Sequence, residues 1–149
     1  MADLIDAPSF RTYETPLIKV AELPPRHKDT RGSMYTFKLD PPRAYVMHVS
    51  REEGMKSGNH YHNGLSLSKS PEIFYLARGT MEITVQHIGT REKDVIVVDR
   101  PSLVHIPARV HHTLLACTPI DFIELFIEKD NFDDDTIKGP LPDLEARLP

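Results

Sequence analysis

The sequence predicts a small all-β barrel with little helix. Three observations support this: the apolar stretches are short, the 13 prolines fall between them, and the region from Lys19 to Ile127 shows no helical periodicity with capping residues. Many short strands separated by turns are typical of a β-sandwich or a β-barrel. A chain of 149 residues suits one such domain.

Nine strands are expected in the barrel, which would span residues 16–127. In chain order they cover residues 16–20, 33–39, 44–49, 72–77, 80–87, 94–98, 103–106, 112–116 and 121–127. The tripeptide Arg78-Gly79-Thr80 predicts a tight hairpin turn between two of them. Residues 1–15 are expected to form an N-terminal arm. Residues 128–149 are expected to form an irregular acidic tail that lies over the barrel or is partly disordered.

The composition argues against several classes of protein. A net charge of −4 offers no basic surface for nucleic acid. Cys117 is the only cysteine, so no intramolecular disulfide can form and a cytoplasmic location is expected. The sequence has neither a basic and apolar leader nor a run of about 20 apolar residues, so neither export nor membrane insertion is expected.

Three histidines and a glutamate are candidates for a metal site. His60 and His62 stand two residues apart, so both imidazoles face the same side of a strand. If Glu72 faces inward with Phe74, a carboxylate lies on an apolar barrel face, which is costly unless a cation compensates it. His112 heads another strand and can complete the set. Three imidazoles and one carboxylate suit one divalent transition metal ion, Zn, Mn, Fe, Ni, Co or Cu, with positions left open for water or substrate.

The residues and their spacing resemble the two motifs of the cupin superfamily. The first motif is matched by Gly54, His60, His62, Glu72 and Gly79, and the second by Pro107 and His112. A longer loop, residues 63–71, precedes Glu72, and the second motif has Pro101, Arg109 and Ala116 in place of two glycines and an asparagine. The resemblance covers residues 46–127. It implies the double-stranded β-helix, or jelly roll, of the cupins, with His60, His62, Glu72 and His112 as metal ligands.

A narrower similarity lies upstream. The run Asp-Thr-Arg-Gly-Ser-Met at residues 29–34 looks like the DxRGxF signature of nucleotide-sugar epimerase and isomerase cupins. Residues 58–62 are similar to a run in the cupin domain of bifunctional capsular-polysaccharide epimerase-reductases. The resemblance implies that Arg31 helps to hold a diphosphate and that His60, with His62, is catalytic. Ser57 and Met34 depart from the pattern, which has arginine and phenylalanine there.

Further side chains could border the pocket and bind substrate. His48 and His105 could face the cavity from flanking strands, and a tyrosine near the pocket could donate a proton. The full set of substrate-binding candidates is Arg31, Tyr45, His48, Tyr61, Phe74 and His105.

Plainer interpretations of the same residues remain open. The three histidines could be hydrogen-bonded interior residues of a metal-free barrel. Glu72 could form an ordinary surface ion pair with Arg78 or Lys56.

Three functions are compatible with the sequence. The first is an isomerase or epimerase of a carbohydrate or nucleotide-sugar, in which a metal polarises a keto oxygen and a histidine moves the adjacent proton. The second is an Fe(II)-dependent dioxygenase acting on a small organic substrate. The third is a non-catalytic module that binds a small ligand. Open sheet edges and the N-terminal segment also predict a homodimer.

Overall fold

The protein is built from short strands. The computed structural model describes residues 10–129 and 135–141, and within these ranges it contains 13 strands and no helix. Those ranges therefore include no helix that could cross a membrane. The strands are β1 (Thr12–Glu14), β2 (Lys19–Glu22), β3 (His27–Asp29), β4 (Gly32–Met34), β5 (Tyr45–Arg51), β6 (Lys56–His62), β7 (Glu72–Arg78), β8 (Met81–His87), β9 (Lys93–Val98), β10 (Ser102–Ile106), β11 (Val110–Ala116), β12 (Ile120–Phe126) and β13 (Thr136–Lys138).

Two antiparallel sheets form the barrel. One has the order β1-β2-β10-β7-β12-β5 and the other β13-β6-β11-β8-β9, while β3 and β4 make a separate hairpin. The inward faces of both sheets contribute to one core of buried side chains, among them Phe74, Leu76, Ile83, Val85, Val104, Ile106, Leu114 and Phe122. Burying this apolar surface stabilises the packed pair of sheets. The predicted all-β jelly roll is confirmed.

Each predicted strand overlaps an observed one, but four observed strands fall outside the nine predicted ranges: the seven-residue β6, which carries His60 and His62, and the three-residue strands β1, β3 and β13. β3 belongs to the separate hairpin, β1 lies in the predicted N-terminal arm, and β13 lies in the predicted tail and pairs with β6. Three-residue strands carry too little sequence pattern to be found without their partners. The remainder of the tail, residues 130–134 and 142–149, and residues 1–9 of the arm lie outside the described residues.

The predicted strand at residues 33–39 is wrong beyond Met34. The chain leaves the strand there and covers the outer face of the six-stranded sheet. Phe37 packs on Tyr75 with ring centroids 5.0 Å apart, and Leu39 packs against the cluster of Ile73, Leu103 and Leu125. The apolar residues of this segment therefore pack on the outer face of a sheet and do not form a strand.

The predicted hairpin at Gly79 is also wrong. The strands before and after it, β7 and β8, belong to different sheets, so the turn is a corner between the sheets. Gly79 has a φ of +91°, and a Cβ there would lie 2.2 Å from the Pro119 carbonyl oxygen. Only glycine fits this corner. A glycine at a tight turn is typical both of a hairpin and of a crossover between sheets, so the sequence pattern is the same for the two.

Candidate functional site

A cavity of about 200 Å³ opens between the two sheets. Its walls come from β5, β6, β12 and β13 and from the chain that leads into β7. Met47, Val49 and Phe122 contribute apolar side chains to the lining, and the predicted residues His60, His62 and Glu72 contribute ionisable groups. The cavity therefore combines apolar side chains with a cluster of ionisable groups.

His60, His62, Glu72 and His112 converge as predicted. One ligand atom from each residue lies within 4.8 Å of the others. His60 and His62 share a face of β6, and His112 on β11 is paired with His60 across the sheet. Three of the four side chains are buried, and His60 is half-buried. Strands that are far apart in sequence thus bring three imidazoles and a carboxylate to one point.

A β-bulge shapes this part of the sheet. His112 pairs with His60 while Thr113 pairs with Gly58, so Asn59 is an extra residue, with a φ of 58°. A Cβ on Gly58 would lie 2.8 Å from the His112 carbonyl oxygen. Glycine at this position lets β6 approach β11 closely enough to bring their histidines together.

Glu72 holds the centre of the cluster. It is 4% exposed and shares the inward face of β7 with Phe74 and Leu76. Its Oε2 lies 3.0 Å from His62 Nε2 and 3.0 Å from His112 Nε2. The alternative of a surface ion pair is wrong because Glu72 is buried, and Arg78 instead donates to Asp121.

Burial and the close contacts within the cluster shift the pKa values of its members. Burial alone would raise the pKa of Glu72, but the charge of His112 and the hydrogen bonds from His112 and His62 hold it well below its ordinary value. Burial alone would lower the pKa of His112, but Glu72 raises it above its ordinary value. Burial and the nearby His112 lower the pKa of His60 to about 3, so His60 is neutral at pH 7.

The hydrogen bonds of His112 test whether a cation fits the cluster. Its Nδ1 lies 3.1 Å from the Val110 carbonyl oxygen, which only accepts, so Nδ1 carries a proton. In a neutral ring, Nε2 would then point a lone pair at a Glu72 oxygen only 3.0 Å away. That contact is favourable only when a proton or a metal ion lies between the two atoms. The donor set of three nitrogens and one oxygen fits the metals expected from the sequence.

Four charged side chains of the cavity lining were not predicted, Arg51, Lys69, Glu124 and Lys138, and two of them, Lys69 and Glu124, lie beside the cluster. Lys69, which is 6% exposed, places its Nζ 3.3 Å from Glu124 Oε2 and 3.7 Å from Glu72 Oε1. Burial and the charge of Glu72 raise the pKa of Glu124 to about 7. The sequence held signals for both residues. Lys69 lies in the long loop before Glu72, and Glu124 shares a face of an apolar strand with Phe122 and Phe126.

Residue Thr136 was also missed. Its Oγ1 lies 3.0 Å from His62 Nδ1, and this contact orients the imidazole. Thr136 belongs to the short strand β13, where no sequence pattern marks it.

The expectation that His48 and His105 face the cavity is wrong. On β5 the side chains of Met47 and Val49 line the cavity, so His48 points to the opposite face and contacts Asp121. On β10 the neighbours of His105, Val104 and Ile106, are in the core, so His105 also points outward. Side chains alternate between the two faces of a strand, and the sequence alone did not reveal which face of these two strands points inward.

The other substrate-binding candidates also lie outside the cavity lining. Phe74 is in the core with its ring centroid 5.4 Å from that of Phe122. Tyr45 is exposed, and Tyr61 alternates with the inward His60 and His62. Arg31 is on the β3–β4 hairpin, where it binds Asp29. Contact of these residues with a substrate stays a prediction.

One known protein family matches most of the chain. A family model described as the polysaccharide biosynthesis C-terminal domain matches residues 27–138. No curated protein is significantly similar to the chain in sequence.

Solved structures with the same fold include sugar-modifying enzymes. A 3,4-ketoisomerase from Helicobacter canadensis is 16% identical, with a TM-score of 0.66 over 81% of this chain and 90% of that one. The 3,5-epimerase RmlC from Legionella pneumophila, solved with dTDP-4-keto-L-rhamnose, is 13% identical, with a TM-score of 0.66 over 87% and 77% of the two chains. The 3,4-ketoisomerase QdtA from Thermoanaerobacterium thermosaccharolyticum, solved with TDP, is 13% identical, with a TM-score of 0.66 over 85% and 90%. The likeness shows that the chain has the fold of cupin sugar epimerases and ketoisomerases.

Proposed function

This chain belongs to the family of polysaccharide biosynthesis C-terminal domains, and from that premise we propose that it is an isomerase or epimerase of a nucleotide-linked keto sugar. The observation that carries the proposal is the convergence of His60, His62, Glu72 and His112 beside a cavity. The solved enzymes of the same fold include two that were determined with TDP or a dTDP-linked keto sugar.

In the metal-free protein, His60 would accept the proton in this reaction. A carbon next to a keto group loses a proton when a neutral base is positioned beside it. His60 lines the cavity and is the least buried of the four residues, so its ring is placed to meet a bound sugar. Return of a proton to the opposite face of the same carbon, from an acid on that face, would give an epimer. Return to the former keto carbon, with the proton of the neighbouring hydroxyl passing to the keto oxygen, would give an isomer.

Lys69 would stabilise the charge that develops on the keto oxygen. Its ammonium group is buried in the cavity wall, 3.7 Å from Glu72 Oε1. Met47, Val49 and Phe122 make part of the cavity wall apolar. Charge stabilisation is stronger beside buried, partly apolar protein surface than in bulk water.

We propose in addition that His60, His62, Glu72 and His112 hold one divalent transition metal ion. The donor set, the spread of 4.8 Å and the His112–Glu72 contact support this. When bound, the ion would supply Lewis-acid polarisation of a carbonyl oxygen. A ring nitrogen that ligates a metal cannot accept a proton, so Glu124 and Lys69 would be the proton carriers available in the metal-bound form.

The activity is tested by NMR of dTDP- and UDP-linked 4-keto-6-deoxyhexoses incubated with the enzyme. We expect new epimer or isomer signals with the wild type and a loss of at least about a hundredfold in rate with His60→Asn. His48→Asn is the matched control, because His48 lies on the outer face, and it should keep the wild-type rate. Unchanged substrate with the wild type, under conditions where it binds, would contradict the proposed function.

The metal is tested by elemental analysis of protein purified without chelator or nickel resin. About one equivalent per chain is expected for the wild type and much less for His62→Ala. Metal-free protein with full activity would contradict the metal proposal and leave His60 as the base. Iron together with oxygen consumption would instead indicate a dioxygenase.

We also propose that the protein is a homodimer. All residues of β3 and β4 are exposed, and an isolated two-stranded hairpin is only marginally stable in water. The edge strand β5 carries Val46, which is 66% exposed. A second copy could cover both features. Light scattering should give twice the chain mass, and a monomer at all concentrations would contradict the dimer.

A further inference from the structure

The charged side chains that line the cavity differ between its interior and its opening. Its inner wall holds buried groups of both charges, Lys69 and Glu72. The lining also includes Glu124 and two exposed cationic side chains, Arg51 and Lys138. Because both are exposed, they lie at the opening and give it positive charge.

Hydrogen bonds to the protein orient the Arg51 guanidinium. Its Nε donates to Ser57 Oγ at 2.8 Å, and its Nη1 donates to the Ser50 carbonyl oxygen at 2.9 Å. These bonds use two of the five N–H groups of an arginine. A guanidinium that is already oriented loses less conformational entropy when it binds an anion.

Lys138 flanks the opening from the other sheet. β5, which carries Arg51, is an edge strand of the six-stranded sheet, and β13, which carries Lys138, is an edge strand of the five-stranded sheet. Lys138 is paired in register with His60, and the Gly139 N–H donates to the Asn59 carbonyl oxygen at 2.8 Å. The backbone on both sides of the opening is therefore fixed.

We propose that Arg51 and Lys138 bind the phosphate groups of a nucleoside diphosphate at the opening of the cavity. This inference rests on the proposed function and extends it by naming the residues that select the nucleotide-linked substrate. Arginine matches phosphate oxygens with its planar array of donors, and lysine adds a second positive charge. A diphosphate held there leaves the attached sugar to enter the cavity toward His60.

The subsite differs from the one that the sequence resemblance implied. Arg31, expected to hold a diphosphate, binds Asp29 on the β3–β4 hairpin, and the Asp29 carboxylate lies 2.6 Å from its Nη2. Arg31 does not line the cavity, whereas Arg51 does. The two arginines can therefore be compared directly by substitution.

Isothermal titration calorimetry with UDP and dTDP tests the subsite. Arg51→Gln and Lys138→Gln should each weaken diphosphate binding by about tenfold to a hundredfold, since a charge-assisted hydrogen bond is lost. Binding should also weaken as salt is added. Lys93→Gln removes an exposed charge on β9, away from the cavity, and should bind as the wild type does. Arg51→Lys, which keeps the charge but not the array of donors, should fall between the wild type and Arg51→Gln.

The outcomes separate this proposal from the proposed function. If neither nucleotide binds the wild type, the proposed function itself fails. If they bind the wild type and both glutamine variants equally well, the subsite is overturned while the proposed function stands. A loss of affinity in Arg31→Gln alone would assign the phosphates to the hairpin and would also overturn the subsite. Thermal midpoints of all variants, measured in parallel, identify any loss that comes from unfolding.

Discussion

Glu124 shows how the barrel changes the ionisation of a single residue. Burial and the charge of Glu72 raise its pKa from 4.5 to about 7, so the folded protein favours the protonated carboxyl group. The unfolded chain releases this proton near pH 4.5. The stability contributed by Glu124 is therefore complete below about pH 4.5 and is lost as the pH rises to about 7.

We predict that Glu124→Gln removes this pH dependence. Thermal midpoints of metal-free wild type and Glu124→Gln should be compared from pH 4.5 to 8, since glutamine cannot ionise. The wild type should lose stability relative to the variant up to about pH 7, and the difference should then become constant. Glu92→Gln, at an exposed position, should show no such trend, and a flat difference for Glu124→Gln would contradict the prediction.

Some site residues could be identified from the sequence and others were misplaced, and the difference has a physical reason. His60, His62, Glu72 and His112 were found because alternation and motif spacing are local properties of the chain. His48 and His105 were misplaced because the inward face of a strand is set by the sheets that pack against it. Glu124 could have been identified as a carboxylate at an inward position of an apolar strand.

Among the elements, β13 supports the site although it is only three residues long. Thr136 on this strand contacts His62 Nδ1 at 3.0 Å and leaves Nε2 directed at Glu72. Partners of this kind set the tautomer and the orientation of a metal-binding imidazole.

We predict that Thr136→Val weakens metal binding by about tenfold to a hundredfold. The side chain keeps its shape but loses the hydroxyl group, so the thermal midpoint of the metal-free protein should change little. Competition with a fluorescent zinc chelator measures the affinity. Thr136→Ser keeps the hydroxyl group and should bind metal almost as the wild type does. Equal affinities of the serine and valine variants would contradict the role of the contact.

The loop at residues 63–71, which lengthens the first motif, is held by the chain that precedes β13. The buried Asp135 carboxylate accepts backbone N–H bonds from Asn63, Gly64 and Ser66 at 3.1, 3.2 and 3.0 Å. The Ser66 side chain and the Leu67 N–H also bind Glu128, both at 3.3 Å. This loop carries Lys69 into the cavity wall, so its shape affects the site.

We predict that Asp135→Asn destabilises the protein by about 2 kcal/mol, because hydrogen bonds to a charged acceptor are weakened. The measurement is chemical denaturation, with hydrogen exchange to locate the effect. Exchange should quicken in residues 63–71 and stay unchanged in β8 and β9. Asp99→Asn, at an exposed position, is the control. Uniformly faster exchange throughout the barrel would contradict a local role for Asp135.

For the whole molecule, the fold class could be predicted from the sequence, but the sheet to which each strand belongs could not. Short apolar segments and two motifs in order were sufficient to indicate a jelly roll. The corner at Gly79 and the pairing of β13 with β6 depend on which sheet receives each strand, and neighbouring residues do not encode that choice. The cavity lies between the edge strands of the two sheets, so its charged opening could be found only from the assembled barrel.

The most direct test of the proposed proton transfer is solvent deuterium incorporation into a nucleotide-linked 4-keto sugar in D₂O, followed by mass spectrometry. The wild type should place deuterium at a carbon next to the keto group, and His60→Asn should reduce the rate of incorporation at least about a hundredfold. Wild-type conversion of the sugar without deuterium uptake, or undiminished uptake by His60→Asn in metal-free protein, would contradict a proton transfer through this site.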